Sequence, residues 1–485
     1  MNTQQTAPVS QLPGYITSAV PNPRDKRAPW YKNTAPTYAG IFLWFVFWQD
    51  AAKAGAPGGT LAHGVGWALL SLVIAAFVCH FLFYLVPGLF GMKTGLPLYI
   101  VGTSTFGAQG GFFMPGFLMG VLQFGWVGVN VYFSSIALGS VVYPNINPMD
   151  ISTVPAGVKV LMAVWGVLAA FMGLKGIQYV AKVATYLPLI PLVVLLWLTA
   201  STIGNVGSFK PDTLIAAQTA ANPTGPAALS MMGVLAMMLT FVVGFFATAG
   251  AAGVDFGLNS RDSKDVSMGG LVGIALAIIG TAGLSLLIVA GYYGGLGTTA
   301  TGRLSLSSFD LIPAILGSDK AKWVKFALAI AAFPPACFSA FIAANSFKTT
   351  LPKVNPFITV GIGTAVSVIL AVTGVVASAI GVFVIIGASF GPICGAMLVD
   401  YLLNGKKWSG PRAGFNPAGW VSWAAGFVVG ILPNLHGWKP DVFPTVPAAP
   451  VVAFVVGAVV YFLCAKIGML SPVVPVTGAL AEATK

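Results

Sequence analysis

The chain of 485 residues is 57% hydrophobic and only 7% charged, whereas soluble domains carry roughly 25% charged residues, so a water-facing globule is excluded. The net charge of +12 comes from lysines and arginines lying mainly between apolar stretches rather than on one basic face, which fits membrane topology and argues against a nucleic-acid partner. Cys79, Cys337, Cys394 and Cys464 all fall inside apolar stretches, at no spacing that suggests a metal site or a disulfide framework; they read as small packing residues, with no metal or cofactor expected.

Residues 1–33 are polar and proline-bearing and lack the pattern of a secretory signal; they are expected to form a flexible cytoplasmic tail. A hydrocarbon core about 30 Å thick needs roughly 20 apolar residues per helix. About 12 such spans follow, near 34–56, 64–90, 108–139, 156–174, 177–201, 227–252, 267–292, 322–346, 355–375, 377–403, 415–435 and 449–469, with 470–485 as a second tail. With the N-terminus inside, the cytoplasmic segments collect Arg24, Lys26, Arg27, Lys32, Lys406 and Lys407 among others, and the outer segments hold less than half as many basic residues. That is the bias expected of a multi-pass protein with both termini cytoplasmic, here in the cell (inner) membrane.

Transporters often bind substrate where two helices, one from each of two inverted repeats, are unwound near the bilayer midplane. The sequence offers two candidates five spans apart. In the first span, Trp48-Gln49-Asp50-Ala51-Ala52-Lys53-Ala54-Gly55 places polar groups where an apolar helix should continue. In the sixth, Phe245-Phe246-Ala247-Thr248-Ala249-Gly250-Ala251-Ala252-Gly253 sets glycines and a hydroxyl beside two aromatics. Spans one to five (34–201) and six to ten (227–403) then form the repeats, and 415–469 adds two helices. Asp50 and Lys53 are three apart, so on a helix they can meet; an ionised group at membrane depth must be paired or wet. Either they neutralise each other there, or the span ends early and both sit in interfacial water.

The third span carries Gln123-Phe124-Gly125-Trp126, an amide one helical turn from an indole. Such a pair offers a hydrogen-bonding edge and a flat ring to one ligand, though an indole in a spanning helix also packs or anchors at the interface. His63, His80 and His436 are scattered and the lone glutamate, Glu482, is in the tail, so no paired nucleophile and base is visible and an enzyme is not expected.

At these residues the sequence resembles the nucleobase:cation symporter-1 family, most of all its bacterial cytosine permease branch. The stretches that carry the resemblance are Gly91-Met92-Lys93-Thr94-Gly95-Leu96, Ser104-Thr105-Phe106-Gly107, Gln123-Phe124-Gly125-Trp126, Val242 to Gly250 followed by Asp255-Phe256, and Asp400-Tyr401-Leu402 followed by Asn404. The resemblance implies an all-α polytopic membrane protein of the leucine-transporter-like five-plus-five inverted repeat, helices one and six broken, working by alternating access. It implies that a small planar heterocycle lies between Trp126 and Phe246, that the Thr248 hydroxyl meets the base, and that Gln123 sits at a matching polar position. The physics agrees, since stacking a base on an aromatic face is worth about 1 to 3 kcal/mol while edge hydrogen bonds discriminate between bases.

The eighth span departs from the family. Where cytosine permeases have an asparagine for the base and threonines for sodium, this chain reads Ala332-Phe333-Pro334-Pro335-Ala336-Cys337-Phe338-Ser339, leaving Ser339 as the nearby hydroxyl. Hard cations need oxygen ligands, so the coupling ion, proton or sodium, stays open. Lys53 suggests an ammonium in the cation's electrostatic place. The paired prolines must bend or open that helix. The expectation is a permease for a nucleobase or related heterocycle, such as cytosine, a purine, a hydantoin or a pyrimidine vitamin precursor. The alternatives are an uncoupled facilitator or channel, and a binding or sensor protein on the same scaffold.

Overall fold

The computed structural model describes residues 12–143, 146–148, 150–297 and 304–482. Among them the structure is helical, with no strand beyond two isolated bridges, Ala28 with Ser260 and Arg412 with Val473. The helices that follow the apolar runs are α1 (Thr34–Leu43, resuming as Phe45–Trp48), α2 (Gly64–Thr94), α3 (Phe112–Val142), α4 (Ala156–Lys175), α5 (Leu189–Ser208) and α6 (Met231–Ala251, followed by Gly253–Gly257). After them come α7 (Ser263–Leu296), α8 (Ser318–Ala331, resuming as Phe333–Thr350), α9 (Pro356–Val372), α10 (Ala379–Leu403), α11 (Pro417–Trp438) and α12 (Ala449–Lys466). Ten are long and apolar enough to cross a bilayer; α9 is a shorter apolar helix, and α1 is divided into two pieces.

Helices α3, α4, α8 and α9 pack on one another. A second group is built from α1 against α7 and α2 against α6 and α7, while α10 lies along α6 and α12. With no hydrophobic force between helices in lipid, small residues set how closely they approach. Gly91 and Gly257 do this where α2 meets the continuation of α6: a Cβ on Gly91 would stand 2.0 Å from the Val254 carbonyl oxygen, and one on Gly257 2.1 Å from that of Gly88. Both α2 and α7 carry a π-helical turn, at Cys79–Tyr84 and Leu271–Leu276. The four cysteines are free and buried, as packing residues should be.

The sixth helix is interrupted by a turn at Ala252, inside the stretch 245–253, after running unbroken through Phe245–Ala251, because single glycines are tolerated where neighbouring helices support the backbone. Two expectations change. The first helix is interrupted at Trp44, in extended conformation (φ −61°, ψ 123°), not in the stretch 48–55, which is a series of turns beyond the helix end. The fifth span begins at Leu189 rather than 177, with a separate short helix at Ile177–Ala184; Pro188 supplies the start signal, since proline fits the first turn of a helix but not its interior.

Nor is the described part of the N-terminal segment a free tail. The Asn22 amide N–H donates to the Gly95 carbonyl at 2.8 Å, and the Arg27 guanidinium donates to the Asn22, Met92 and Ser260 carbonyls. Ala28 N–H donates to the Asn259 carbonyl and Trp30 N–H to Asp265 Oδ1. Tyr15 donates to the Ala108 carbonyl beside the Tyr99 and Phe112 rings, and Ile16 is fully buried. The segment thus straps together the ends of α2, α6 and α7 and the entry to α3. Residues 471–474 are likewise docked, on Arg412 and its neighbours.

Candidate functional site

Trp126 on α3 stands where α1, α3, α6 and α10 converge. Its indole Nε1 donates to Thr248 Oγ1 of α6 at 3.2 Å, both residues buried. Three rings surround it: Phe245 edge-on with centroids 4.9 Å apart, Phe383 of α10 at 5.5 Å, and Trp44 at 5.9 Å. Phe245 also meets Phe47 and Phe383. A helix puts side chains three or four apart on one face, so Phe245 and Thr248 share the α6 face that looks at Trp126. Phe246, one residue on, looks elsewhere. It is fully buried against Phe42, with rings near parallel at 5.8 Å, and against Tyr38. The ring that meets Trp126 in this structure is therefore Phe245, while Phe246, which the resemblance implies as the second wall, differs from it in helical phase.

The other sequence-derived residues are less tightly gathered. Gln123 is buried one turn from Trp126, its amide beside the Met119 sulfur at 3.5 Å. Ser339 is half-buried on the second piece of α8, and among the described residues no hydrogen bond joins it to Trp126 or Thr248. Around it, Ala336, Cys337 and Ala340 pack on α4, where Gly173 lies against the Cys337 carbonyl. Asp50 and Lys53 do pair, with Nζ to Oδ1 at 3.0 Å, the carboxylate side chain 9% and the lysine 27% exposed. They lie on the turns after α1, in a narrow cleft shared with Gln49, Asp310 and Phe309. The pair thus lies past the helix end, in keeping with the early end of the span that the sequence left open, and not beside the interruption of α1.

Pro334 and Pro335 act as anticipated on α8. Proline removes the backbone donor that would close the preceding turn, and the helix is interrupted at Ala332 (φ −83°, ψ −8°). The Ala332 carbonyl accepts from Asn130 Nδ2 of α3 at 2.7 Å, while Asn130 Oδ1 accepts from Trp165 Nε1 of α4 at 3.2 Å and from Ser134 Oγ at 3.3 Å. Sequence reasoning missed Asn130, and missed Trp44, Phe245 and Phe383 as members of the aromatic group. Asn130 sits four residues past Trp126, on the same face of α3, and that spacing was the available signal. Nothing in the apolar run around Trp44 marks it as a break.

A third feature holds the far end of α10. Asp400 is buried and accepts from Ser104 Oγ at 2.7 Å, Tyr461 at 2.9 Å and Asn404 Nδ2 at 3.0 Å, with Arg412 at 3.4 Å. Arg412 also donates to the Ser104 and Ser471 carbonyls. Among the described residues no group of three or more histidine, cysteine or acidic side chains forms a metal site.

A sequence family described as permease for cytosine/purines, uracil, thiamine, allantoin matches residues 21–464 of the chain. The chain belongs to this permease family. It is a multi-pass membrane protein and a secondary transporter, not an enzyme. Cytosine permease of Escherichia coli (strain K12) is 24% identical over 398 residues, covering 80% of this chain and 82% of the relative. Among solved structures, the inward-facing conformation of Mhp1 superposes with TM-score 0.63 at 14% identity, over 94% of this chain and 95% of that one. Mhp1, a nucleobase-cation-symport-1 family transporter, in a closed conformation with bromovinylhydantoin bound, gives 0.58 at 13% identity, over 96% and 97%. The substrate-bound outward-open state of a Na+-coupled sialic acid symporter gives 0.51 at 12% identity, over 95% and 93%. At these identities the likeness is one of fold, which is leucine-transporter-like.

Proposed function

We propose that the chain carries a nucleobase or closely related flat heterocycle by alternating access, binding it against the face of Trp126. The observation that carries this reading is the indole of Trp126, fixed by its hydrogen bond to Thr248 amid Phe245, Phe383 and Trp44. A fixed ring loses little freedom when a planar ligand stacks on it, so most of the stacking energy is available for binding. Gln123 and Thr248 supply edge contacts, Phe245 forms the second wall, and Phe246 backs that wall through Phe42. Trp126→Ala should abolish uptake of the preferred base while the protein still inserts and purifies as the parent does; undiminished uptake ends the assignment. A thermal-shift screen of the purified protein against bases, with and without sodium, identifies the substrate, because a ligand that binds the folded state raises its apparent stability.

For coupling we propose protons rather than sodium held by α8. The α8 segment that would supply hydroxyls presents Pro334, Ala336 and Cys337, all buried, while Asp50 and Lys53 form the charge pair beyond α1. Uptake abolished by removing sodium and indifferent to the proton gradient would overturn this. The basic-residue bias supports both termini on the cytoplasmic side of the cell (inner) membrane. An uncoupled facilitator is the second reading, favoured by the same apolar α8 segment; accumulation above the external concentration that an ionophore collapses excludes it.

A further inference from the structure

The interruption of α1 is held by hydrogen bonds around Trp44, whose own indole N–H has none. Trp44 adopts its extended conformation between two helical pieces. The Leu43 carbonyl accepts from Trp48 Nε1 at 3.1 Å, Trp44 N–H donates to the Ile41 carbonyl at 3.3 Å, and the Trp44 carbonyl accepts from Phe47 N–H at 2.9 Å. The Leu43 carbonyl and the Trp44 N–H and carbonyl are therefore paired. The Trp44 side chain is not: it is 8% exposed, and its indole Nε1 is buried with no acceptor among the described residues.

Other buried tryptophans of the chain behave differently. Trp48 donates to Leu43, Trp126 to Thr248, Trp165 to Asn130 and Trp408 to the Val101 carbonyl. Buried indoles find partners because leaving the donor unpaired in a low-dielectric interior costs free energy. An unpaired buried donor calls for an explanation, and a bound ligand that accepts from it is one. Trp44 is also in the right place, its ring 5.9 Å from Trp126 and 6.2 Å from Phe245 by centroids.

We infer that Trp44 is a specificity-determining residue, whose indole N–H donates to a hydrogen-bond acceptor on the edge of the ring that stacks on Trp126. This deepens the proposed function and rests on it. The Trp126 donor is occupied by Thr248, so the donor left for the substrate among these indoles is Trp44 Nε1. An indole can only donate. The substrate edge that meets it must carry an acceptor, which we assign to an exocyclic oxo group, so oxo-heterocycles are selected over analogues with hydrogen at that position. Sites that hydrogen-bond a substrate group reject analogues lacking it far more strongly than a hydrophobic pocket rejects a change of one methylene.

The test is a cycle of protein and ligand changes on the full chain in detergent, read as binding affinity. The probe pairs are cytosine with 4-aminopyrimidine, and hypoxanthine with purine, each second member lacking the oxo group. Trp44→Phe keeps an aromatic ring and removes the donor. β-(3-benzothienyl)alanine placed at position 44 alone keeps the bicyclic shape without the N–H, and covers the case in which Trp44→Phe does not fold. The parent protein should prefer the oxo member of at least one pair by about 10-fold or more, and both variants should bring that ratio close to one by weakening the oxo member alone. If the parent binds an oxo member and the variants leave its ratio unchanged, Trp44 does not read the edge, and the heterocycle reading stands without it. If the parent binds no member of either pair, the heterocycle reading falls and this inference falls with it.

Discussion

Replacing Asn130 with alanine removes three hydrogen bonds at once from a side chain that is 1% exposed. The Ser134 hydroxyl loses least, because a helical serine can turn to the backbone carbonyl four residues back. The Trp165 indole N–H, now 3.2 Å from Asn130 Oδ1, and the fully buried Ala332 carbonyl, 2.7 Å from Nδ2, have no such recourse. A buried group left unpaired costs about 1 to 3 kcal/mol, so two of them predict a loss of roughly 2 to 6 kcal/mol of stability for Asn130→Ala. Asn130→Asp keeps an acceptor for Trp165 but sets a carboxylate oxygen against the Ala332 carbonyl, and should be at least as damaging. Reversible unfolding of purified protein in mixed micelles measures both. Uptake should fall as well, since the carbonyl that Asn130 holds lies at the α8 interruption. A change of under about 0.5 kcal/mol in Asn130→Ala, the range of surface substitutions away from special features, would refute the view that this side chain holds the interruption.

Three further perturbations have expected outcomes. Thr248→Val preserves shape but strands the Trp126 N–H and loses an edge contact, so the KM for uptake should rise about 10-fold while Thr248→Ser stays near the parent; equal KM values in all three remove Thr248 from the site. Gly257→Ala forces a methyl group to within 2.1 Å of the Gly88 carbonyl. Overpacking typically costs 1 to 3 kcal/mol, and with rigid backbone as the obstacle a loss of about 3 kcal/mol or failure to purify as a single species is expected, whereas Gly437→Ala, with nothing near its Cβ, serves as the neutral control. Arg412→Met leaves Asp400 its three neutral donors, while Asp400→Asn leaves a buried guanidinium facing carbonyls and an amide. Breaking a buried ion pair costs about 3 to 5 kcal/mol, and Arg412→Met should fall at the lower end, with unfolding of the single and double variants measuring the coupling.

The long apolar helices were legible because the signal for each is summed over roughly 20 residues, which tolerates errors at either end. The interruptions were not equally legible. Pro334 and Pro335 lack backbone donors, so a break in α8 follows from covalent structure. Trp44 is interrupted by how neighbouring helices hold it, and a local reading of Trp44-Phe45-Val46 finds ordinary helix formers there. Polar residues drew the eye to Gln49, Asp50 and Lys53, yet polarity marked the end of a helix rather than a gap within it. In the site, residue type was readable and phase was not: Phe245 and Phe246 are chemically identical, and only the rotation of α6 relative to α3 decides which one meets Trp126. Asn130 went unnoticed because a lone buried amide shows no pattern until its partners on α4 and α8 are brought beside it.

The strap formed by residues 12–33 carries a consequence for biogenesis. Asn22 meets Leu258 and Asn259 across sequence separations of 236 and 237 residues, and Trp30 meets Asp265 across 235. At synthesis rates of about 5 to 20 residues per second, this stretch emerges from the ribosome on the order of 10 to 50 s before these three partners exist. Its contacts with the ends of α6 and α7 can therefore form only after the polypeptide through the start of α7 has been threaded into the bilayer, so the oldest part of the nascent chain completes its docking on helices made long after it.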